Sequence, residues 1–234
     1  MALKVNWCHT CGFGRNFGDQ VTTRLLTHYG IDHEWAPPGR CELIGAGSIL
    51  SKIPRGWRGT VWGTGFIRSG MWSDLRGARV LALRGTYTRA HVKMRAQKQP
   101  VAFGDPGILV GDLPRDPAQP LAVVLIPHYV DKAMVERWPG VPVCDVTGSP
   151  EQVLGTIASA ELVVTSSLHA LIAADALGRP HILEVSPKVT GGLFKFQDYA
   201  SAFGETITPG RIRLTDRVAM ARQQAEVRDA LWRV

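Results

Sequence analysis

Short apolar runs alternate with amphipathic and glycine-rich segments along this chain, and the pattern predicts layers of strands and helices. The predicted strands are Leu3–Trp7, Leu43–Ile44, Gly59–Gly63, Val80–Leu83, Leu121–Ile126, Val141–Val143, Leu162–Val164 and His181–Val185. The predicted helices are Asp19–Tyr29, Thr86–Gln97, Ser149–Ser159, Leu168–Leu177 and Thr215–Trp232. Because strands and helices alternate, the pattern favours parallel sheets and an α/β fold.

The segment from residue 111 to residue 120 is polar and proline-rich, which is typical of an interdomain linker. It predicts two Rossmann-like domains, residues 1–113 and 114–234, with the active site in the cleft between them. We expect the final helix to cross back onto the first domain, with pairing to another subunit as the alternative. Either arrangement is expected to bury one apolar stripe: Leu214, Val218, Ala221, Ala225 and Leu231.

The composition, with 45% hydrophobic and 20% charged residues, is typical of a globular protein. No apolar run approaches the roughly 20 residues that span a bilayer. Met1–Val5 leads directly into a predicted strand without the apolar core of a signal peptide. We therefore expect a cytoplasmic protein.

The chain has 27 lysines and arginines against 20 acidic residues, a net charge of +7. This excess favours anionic partners such as phosphorylated substrates, acidic lipids or nucleic acid, without selecting among them. No helix-turn-helix, zinc-finger or RNA-binding sheet signature is present, so nucleic acid is not an expected partner. A non-enzymatic nucleic-acid-binding protein is the least favoured alternative.

The four cysteines are scattered, unlike those of a small secreted disulfide scaffold. Cys8 and Cys11 have the spacing of a zinc half-site, but no second cluster of cysteines or histidines completes it. No metal is expected.

The segment Thr165–Ile172 places a histidine just after an apolar strand and in the first turn of a helix. Ser166 or Ser167 can cap that helix, and Gly178 follows its end. Free N–H groups and the helix dipole favour a bound phosphate or carboxylate at this position. His169 can transfer a proton there near neutral pH, although a histidine hydrogen-bonded within the core is the alternative.

Three glycine-rich loops in the first half stand at predicted strand ends or before a helix. They are Gly12–Asp19, Gly45–Ser48 and Trp62–Phe66. None is a complete dinucleotide or phosphate-loop fingerprint, and each alone could be a tight turn. Their joint occurrence indicates a substrate cleft.

Several segments together resemble the polysaccharide pyruvyl transferase family, in the family's order. The segments are Asn16–Asp19, Gly45–Leu50, Trp62–Gly65, Arg84–Thr86, Gly104–Pro106, Ile126–Tyr129, Ser166–Ile172 and Ser186–Val189. The resemblance implies two domains arranged as in glycosyltransferase-B enzymes. It also implies transfer of the enolpyruvyl unit of phosphoenolpyruvate to a sugar, usually as a ketal bridging two hydroxyls.

The resemblance places His169, Arg84 and Lys188 at the family's catalytic positions. His169 would protonate the methylene carbon of the donor, and the two cations would hold its carboxylate and phosphate. Further residues of these segments are the candidate substrate-binding residues: Asn16, Gly18, Asp19, Gly47, Ser48, Gly63, Thr64, Gly65, His128, Ser166 and Ser167. Asp19 is equally suited to cap the helix that it begins, and a local turn is the alternative role of His128. No cofactor is implied, because phosphoenolpyruvate is itself the donor substrate.

Two features concern the acceptor. The chain is short for the family, so its resemblance does not identify the acceptor sugar. A basic region in the first half is expected to make a peripheral contact with the inner membrane surface, where a lipid-linked oligosaccharide would be presented, or else to be a solvated face. Its members are Arg55, Trp57, Arg58, Arg68, Trp72, Arg76 and Arg79. A nucleotide-sugar glycosyltransferase of the same architecture is the main alternative function.

Overall fold

A computed structural model describes residues 1–8 and 16–234 of the chain. Six parallel strands form the larger sheet, in the order β2-β1-β3-β4-β6-β8. Their bounds are β1 Leu3–Asn6, β2 His33–Trp35, β3 Leu43–Ile44, β4 Thr60–Trp62, β6 Arg79–Leu83 and β8 Ala102–Phe103. Two further short strands, β5 (Ser73–Asp74) and β7 (Val92–Lys93), pair in parallel with each other.

The second sheet has the order β12-β11-β10-β9. Three of its strands are parallel, namely β9 (Leu121–Ile126), β10 (Ala160–Thr165) and β11 (His181–Leu183). The fourth, β12 (Ile212–Arg213), runs antiparallel at the edge. The expectation of a mixed α/β chain with parallel sheets is therefore confirmed.

Seven α-helices are described between these strands: α1 Phe17–His28, α2 Thr86–Ala90, α3 Ala133–Arg137, α4 Pro150–Ser159, α5 Leu168–Ala176, α6 Phe194–Ala200 and α7 Arg217–Leu231. Local capping explains several of their starts. The Asn16 side chain accepts a hydrogen bond from Gly18 N, and the Ser149 hydroxyl accepts one from Gln152 N ahead of Pro150. Short 3₁₀ helices cover Leu50–Lys52, Pro106–Asp112 and Ser201–Phe203.

One large apolar cluster contains buried side chains from both sheets, including Val5, Trp62 and Val163. Helix α7 packs against strands β4, β6 and β8 of the larger sheet. Its backbone is fixed there because Trp62 Nε1 donates a hydrogen bond to the Val227 carbonyl, 2.9 Å away. The last helix thus lies on the sheet formed by the first half of the chain.

Three predictions about elements are wrong. The predicted helix Thr86–Gln97 ends at Ala90, because Val92 and Lys93 pair with β5 instead. The predicted strand Val141–Val143 is reduced to a single bridge between Val143 and Leu125. The predicted stripe on the last helix is also wrong apart from Leu231: the buried side chains of α7 are Met220, Val227, Ala230 and Leu231.

The predicted linker begins inside the 3₁₀ helix that ends at Asp112, and residues 113–120 form no helix or strand. Asp116 N donates to the Glu151 carbonyl at 3.0 Å, so the segment is held against the start of α4. Gly155 permits this close approach, since a Cβ there would lie 2.0 Å from the Asp116 carbonyl oxygen. None of the helices in the described ranges is long and apolar enough to cross a lipid bilayer.

Candidate active site

A cavity of about 90 Å³ opens where the carboxyl ends of β3, β9 and β10 meet the start of α1. Both sheets therefore contribute to one site, as expected for ligand binding at the carboxyl edges of parallel strands. The cavity is lined by Cys8, Asn16, Asp19, Ala46, Gly47, Ser48, Ile49, Ile67, His128, Ser167, Leu168, His169 and Lys195.

His169 is the second residue of α5, directly after the short turn that follows β10. Its side chain is 12% exposed and packs against Gly18 in the first turn of α1. A Cβ at Gly18 would lie 2.1 Å from His169 Nδ1, so only glycine at this position leaves room for the ring. The absence of a side chain at Gly18 thus lets the His169 imidazole pack against helix α1.

The protonation of His169 is controlled by its surroundings. Burial lowers the pKa of the imidazole, the nearby Asp105 carboxylate opposes this, and the Arg84 and Lys195 charges lower the pKa further. His169 Nε2 is buried and has no hydrogen-bond partner among the described residues. These surroundings therefore favour a neutral imidazole, and an anion bound beside it would favour the protonated form.

Asp105 is a fully buried residue of the site that the sequence analysis did not select. One carboxylate oxygen accepts a hydrogen bond from Gly107 N and the other from Gly47 N, at 2.9 and 3.0 Å. Its Oδ1 lies 3.9 Å from His169 Nε2. The Asp-Pro pair at positions 105 and 106 is a recognisable helix-start signal, but the contact with Gly47, 58 residues away, is not visible in the sequence.

Arg84 directly follows β6 and is fully buried behind the cavity wall. Its Nε donates to Asp198 Oδ2 at 2.8 Å, one terminal nitrogen donates to Ser48 Oγ at 2.6 Å, and the other donates to the Phe66 carbonyl at 2.5 Å. Gly65 allows the guanidinium to lie there, because a Cβ would be 2.6 Å from it. Ser48 lines the cavity, so Arg84 reaches the site through this hydroxyl.

The two lysines near the end of the matched motifs occupy different environments. Lys188 is exposed and does not line the cavity; its backbone N–H donates to Ser186 Oγ at 3.2 Å. Lys195, on α6, is only 3% exposed and does line the cavity. Burial, followed by the Arg84 charge, lowers the pKa of Lys195 to about 8.

His128 and Ser167 line the cavity, and Ser166 supports His128. His128 N donates to Ser166 Oγ at 3.0 Å, which joins the ends of β9 and β10. Burial, together with the Lys195 charge, lowers the pKa of His128 to about 4. Ser167 occupies the N-cap position of α5 and lines the cavity, but its side chain makes no capping hydrogen bond.

The loops after β3 and β4 are joined by Thr64. Its hydroxyl donates to the Gly47 carbonyl at 2.8 Å and accepts from Ile49 N at 3.3 Å. Gly47 and Gly63 both have positive φ, 99° and 81°, and a Cβ at Gly63 would lie 2.6 Å from the Gly104 carbonyl. Of this group Gly47 and Ser48 line the cavity, whereas Gly63, Thr64 and Gly65 support the loops from behind.

Asp19 faces the cavity from the first turn of α1, close to the Asn16 cap. Its Oδ2 is buried and has no hydrogen-bond partner in the described part of the chain. Burial raises the pKa of this carboxyl to about 7, although the Lys52 charge lowers it in part. Asp19 is therefore a proton-holding group near neutral pH.

This raised pKa gives a stability prediction. An unfolded aspartate titrates near pH 3.9, so the folded chain binds more protons than the unfolded chain between about pH 4 and pH 7, and its stability falls as the pH rises through that range. Asp19→Asn removes this loss, and we expect its free energy of unfolding to exceed that of the wild type by about 4 kcal/mol at pH 8, since three pKa units at about 1.4 kcal/mol each are no longer lost. Urea denaturation at pH 4.5 and pH 8 measures the difference. Asp32→Asn, at an exposed site, is the control; an equal effect of pH on both variants would contradict the prediction.

The candidate zinc half-site and the first glycine-rich loop fall largely outside the described residues. Of the cysteine pair, the structure describes only Cys8. Of the glycine-rich loop at residues 12–19, it describes Asn16 and the residues that follow. Among the described residues, no group of three histidine, cysteine or acidic side chains could hold a metal ion.

The proposed basic region is only partly a surface feature. Trp57 is buried and donates its indole N–H to the Cys41 carbonyl at 2.9 Å, so its expected surface position is wrong. Trp72 is 55% exposed with Lys93 above its ring, and Arg76 pairs with Asp74.

Comparison with known proteins decides between the families compatible with this geometry. Residues 43–183 match the family model described as polysaccharide pyruvyl transferase. The chain belongs to the polysaccharide pyruvyl transferase family. The matched span contains β3, Arg84, Asp105 and His128, and it ends at β11 after His169. Lys188 and Lys195 lie beyond it.

The chain is also similar to two individual proteins. The chain is 29% identical over 222 residues to the succinoglycan biosynthesis protein ExoV of Rhizobium meliloti, covering 86% of this chain and 66% of that protein. It is 34% identical over 139 residues to an uncharacterized protein of Acanthamoeba polyphaga mimivirus, covering 52% of this chain and 47% of that protein. The chain thus spans roughly one half to two thirds of the length of these curated relatives.

Proposed function

We propose that this pyruvyl transferase uses phosphoenolpyruvate as its donor and forms a ketal on a sugar of a polysaccharide or of its lipid-linked oligosaccharide precursor. The observation that carries the proposal is a cavity lined by His169 and His128, with the buried Arg84 guanidinium behind Ser48. Such a site suits a small ligand with a phosphate and a carboxylate. No cofactor enters the proposal.

The proposed reaction begins when the bound anion favours the imidazolium form of His169. His169 gives its proton to the methylene carbon of the donor, which becomes a methyl group and leaves the central carbon electrophilic. One sugar hydroxyl then adds to that carbon and releases its proton, and the carbon–oxygen bond to phosphate breaks with its electron pair going to phosphate. The second hydroxyl closes the ketal and releases its proton, so one proton restores His169 and the other leaves with phosphate.

Arg84 and Lys188 are the cations that the family resemblance assigns to the donor. In this proposal Arg84 acts from behind Ser48, and Lys188 would have to approach from the exposed segment between β11 and α6. Asn16 and Asp19 face the same cavity and are the proposed acceptor-side contacts.

The arrangement of the sheets supports a glycosyltransferase-B-like organisation as part of the proposal. Two sheets built mainly from parallel strands direct the carboxyl ends of β3, β9 and β10 to one cavity. We place the boundary between the proposed domains, 1–113 and 114–234, in the irregular segment after Asp112, with α7 returning to the first sheet.

The acceptor class follows from the relative named for succinoglycan biosynthesis, and an exopolysaccharide or its precursor is the proposed acceptor. A peripheral contact with the inner membrane surface would bring the enzyme to a lipid-linked acceptor, and the exposed Trp72 supports such a contact. Co-sedimentation with acidic liposomes at moderate salt tests the membrane contact; absence of binding excludes it.

Calorimetric titration with phosphoenolpyruvate and, separately, with a nucleoside diphosphate tests the donor. We expect phosphoenolpyruvate to bind and to raise the apparent melting temperature by mass action. Release of inorganic phosphate is then measured with a panel of oligosaccharide acceptors. Binding of the nucleotide alone would replace this function with nucleotide-sugar glycosyl transfer, and steeply salt-dependent binding of arbitrary DNA would support the nucleic-acid alternative.

A further inference from the structure

Lys195 places a buried ammonium group in the cavity. The residue is 3% exposed, yet it belongs to the cavity lining, so its remaining accessible surface faces the site. Among the described residues its ammonium contacts the Phe196 ring, 5.3 Å from the ring centroid, and has no carboxylate or carbonyl within hydrogen-bonding distance. A buried cation without an acceptor is costly unless a ligand supplies the counter-charge.

The other candidate cations cannot replace Lys195 without a rearrangement. Arg84 already donates to Asp198, Ser48 and the Phe66 carbonyl, so it can act on a ligand only through Ser48 unless these bonds rearrange. Lys188 is exposed and lies outside the cavity lining. Among the described residues that line the cavity, Lys195 is therefore the basic residue whose charge can act directly on a ligand.

Helix α6 gives Lys195 this position. Asp198, one turn further along the same helix, accepts hydrogen bonds from Arg84 and from the Thr88 backbone and hydroxyl. These bonds fix α6 against the segment after β6. Gly85 allows the close packing, because a Cβ there would lie 1.6 Å from the Asp198 carbonyl oxygen. The Lys195 side chain is thus held beside the cavity by a rigid support.

We propose that Lys195 is an anion-binding residue of this site, and that its ammonium binds the phosphate or the carboxylate of the donor. The assignment of the anion to phosphoenolpyruvate rests on the proposed function, whereas binding of a small dianion does not. Lys195 would act together with Arg84 and His169, because the two negative charges of a bound dianion are balanced by several nearby positive groups.

Sulfate binding at different pH values tests the proposal, because sulfate stays a dianion from pH 6 to pH 9. The pKa of Lys195 is lowered to about 8, so the ammonium is lost as the pH rises through that value. We expect the sulfate affinity of the wild type to fall accordingly. The charged or titratable groups around Lys195 are Arg84, which pairs with Asp198, His128 after β9, His169 with Asp105 beside it, and Asp19 in the same cavity lining.

Three variants separate the role of Lys195 from these neighbours. In Lys195→Met we expect sulfate and phosphoenolpyruvate to bind about 10- to 100-fold more weakly. In Lys195→Arg, binding should persist with a flat pH profile above pH 8, because the guanidinium stays charged and Asp19, whose pKa is about 7, is already ionised there. Lys98→Met, at an exposed site away from the cavity, should match the wild type in affinity and pH profile.

The proposal is overturned if Lys195→Met binds sulfate like the wild type, or if Lys195→Arg keeps the wild-type pH profile. Lys195→Met should fold, since it removes a buried charge; if it does not, the wild-type and arginine profiles still decide. If sulfate binding requires Lys195 but phosphoenolpyruvate is not turned over with any acceptor, the anion site is supported and the proposed function is rejected. If the wild type turns phosphoenolpyruvate over and Lys195→Met binds sulfate and phosphoenolpyruvate as the wild type does, the proposed function is supported and the anion-binding role of Lys195 is rejected.

Discussion

His169→Gln is expected to lower kcat for pyruvyl transfer by about 10²- to 10⁴-fold, the range associated with loss of a general acid. Glutamine fills most of the space of the imidazole but cannot deliver a proton to carbon. Affinity for phosphoenolpyruvate should change only a few-fold, because the lost interaction belongs to the transition state. Phosphate release under saturating donor and acceptor measures kcat, and calorimetry measures donor binding.

His33→Gln is the matched control. His33 lies on β2, at the edge of the larger sheet, and its Nδ1 is 2.9 Å from the Ile31 carbonyl. This variant should keep wild-type kcat. If His169→Gln retained activity within a few-fold of the wild type, His169 would not be the proton donor, and Asp19, whose pKa is raised to about 7 in the same cavity, would become the strongest candidate.

The junction between β10 and α5 illustrates what the sequence could predict. An apolar strand, two serines and a following helix are local features, and the observed elements agree with the predicted ones to within two residues at each end. The helix predicted over Ser149–Ser159 is observed as α4, Pro150–Ser159, with Ser149 as its N-cap. Local signals of this kind need no tertiary information.

Nonlocal pairing explains where the prediction failed. The segment after Ala90 has helical periodicity, but Val92 pairs with Ser73 in a small parallel sheet, which ends the helix early. Similarly, Trp57 stands among arginines in sequence but is buried beneath the Cys41 carbonyl. In both cases a contact with a distant residue overrides the local pattern.

The choice between Lys188 and Lys195 shows the same limit for function. The sequence motif indicates Lys188, seven positions before Lys195, and nothing in their spacing distinguishes an exposed lysine from a buried one. Only the packing of α6 against the segment after β6, through Asp198 and Arg84, places Lys195 in the cavity. The residue types of an anion site were therefore predictable, whereas the choice between its cations depended on tertiary structure.

Asp198→Asn is expected to lower the free energy of unfolding by about 3–5 kcal/mol. Arg84 and Asp198 are both fully buried, and the carboxylate also accepts two hydrogen bonds from Thr88. Asparagine leaves the guanidinium in the interior without a counter-charge, so the desolvation cost of that charge is no longer offset. For a chain of this length the melting temperature should fall by about 10 °C, which urea denaturation and thermal melting measure independently.

The exposed ion pair between Asp74 and Arg76 provides the matched control. These side chains are 2.5 Å apart, as close as any pair in the buried network, but that of Arg76 is 59% exposed. Asp74→Asn should therefore leave the free energy of unfolding close to that of the wild type, because water replaces the lost partner. The double variant Arg84→Met with Asp198→Leu should recover much of the stability lost in Asp198→Asn, since it removes both charges together. Equal effects of Asp198→Asn and Asp74→Asn would mean that burial does not set the strength of the Arg84 pair, and that α6 is held against the site by packing alone.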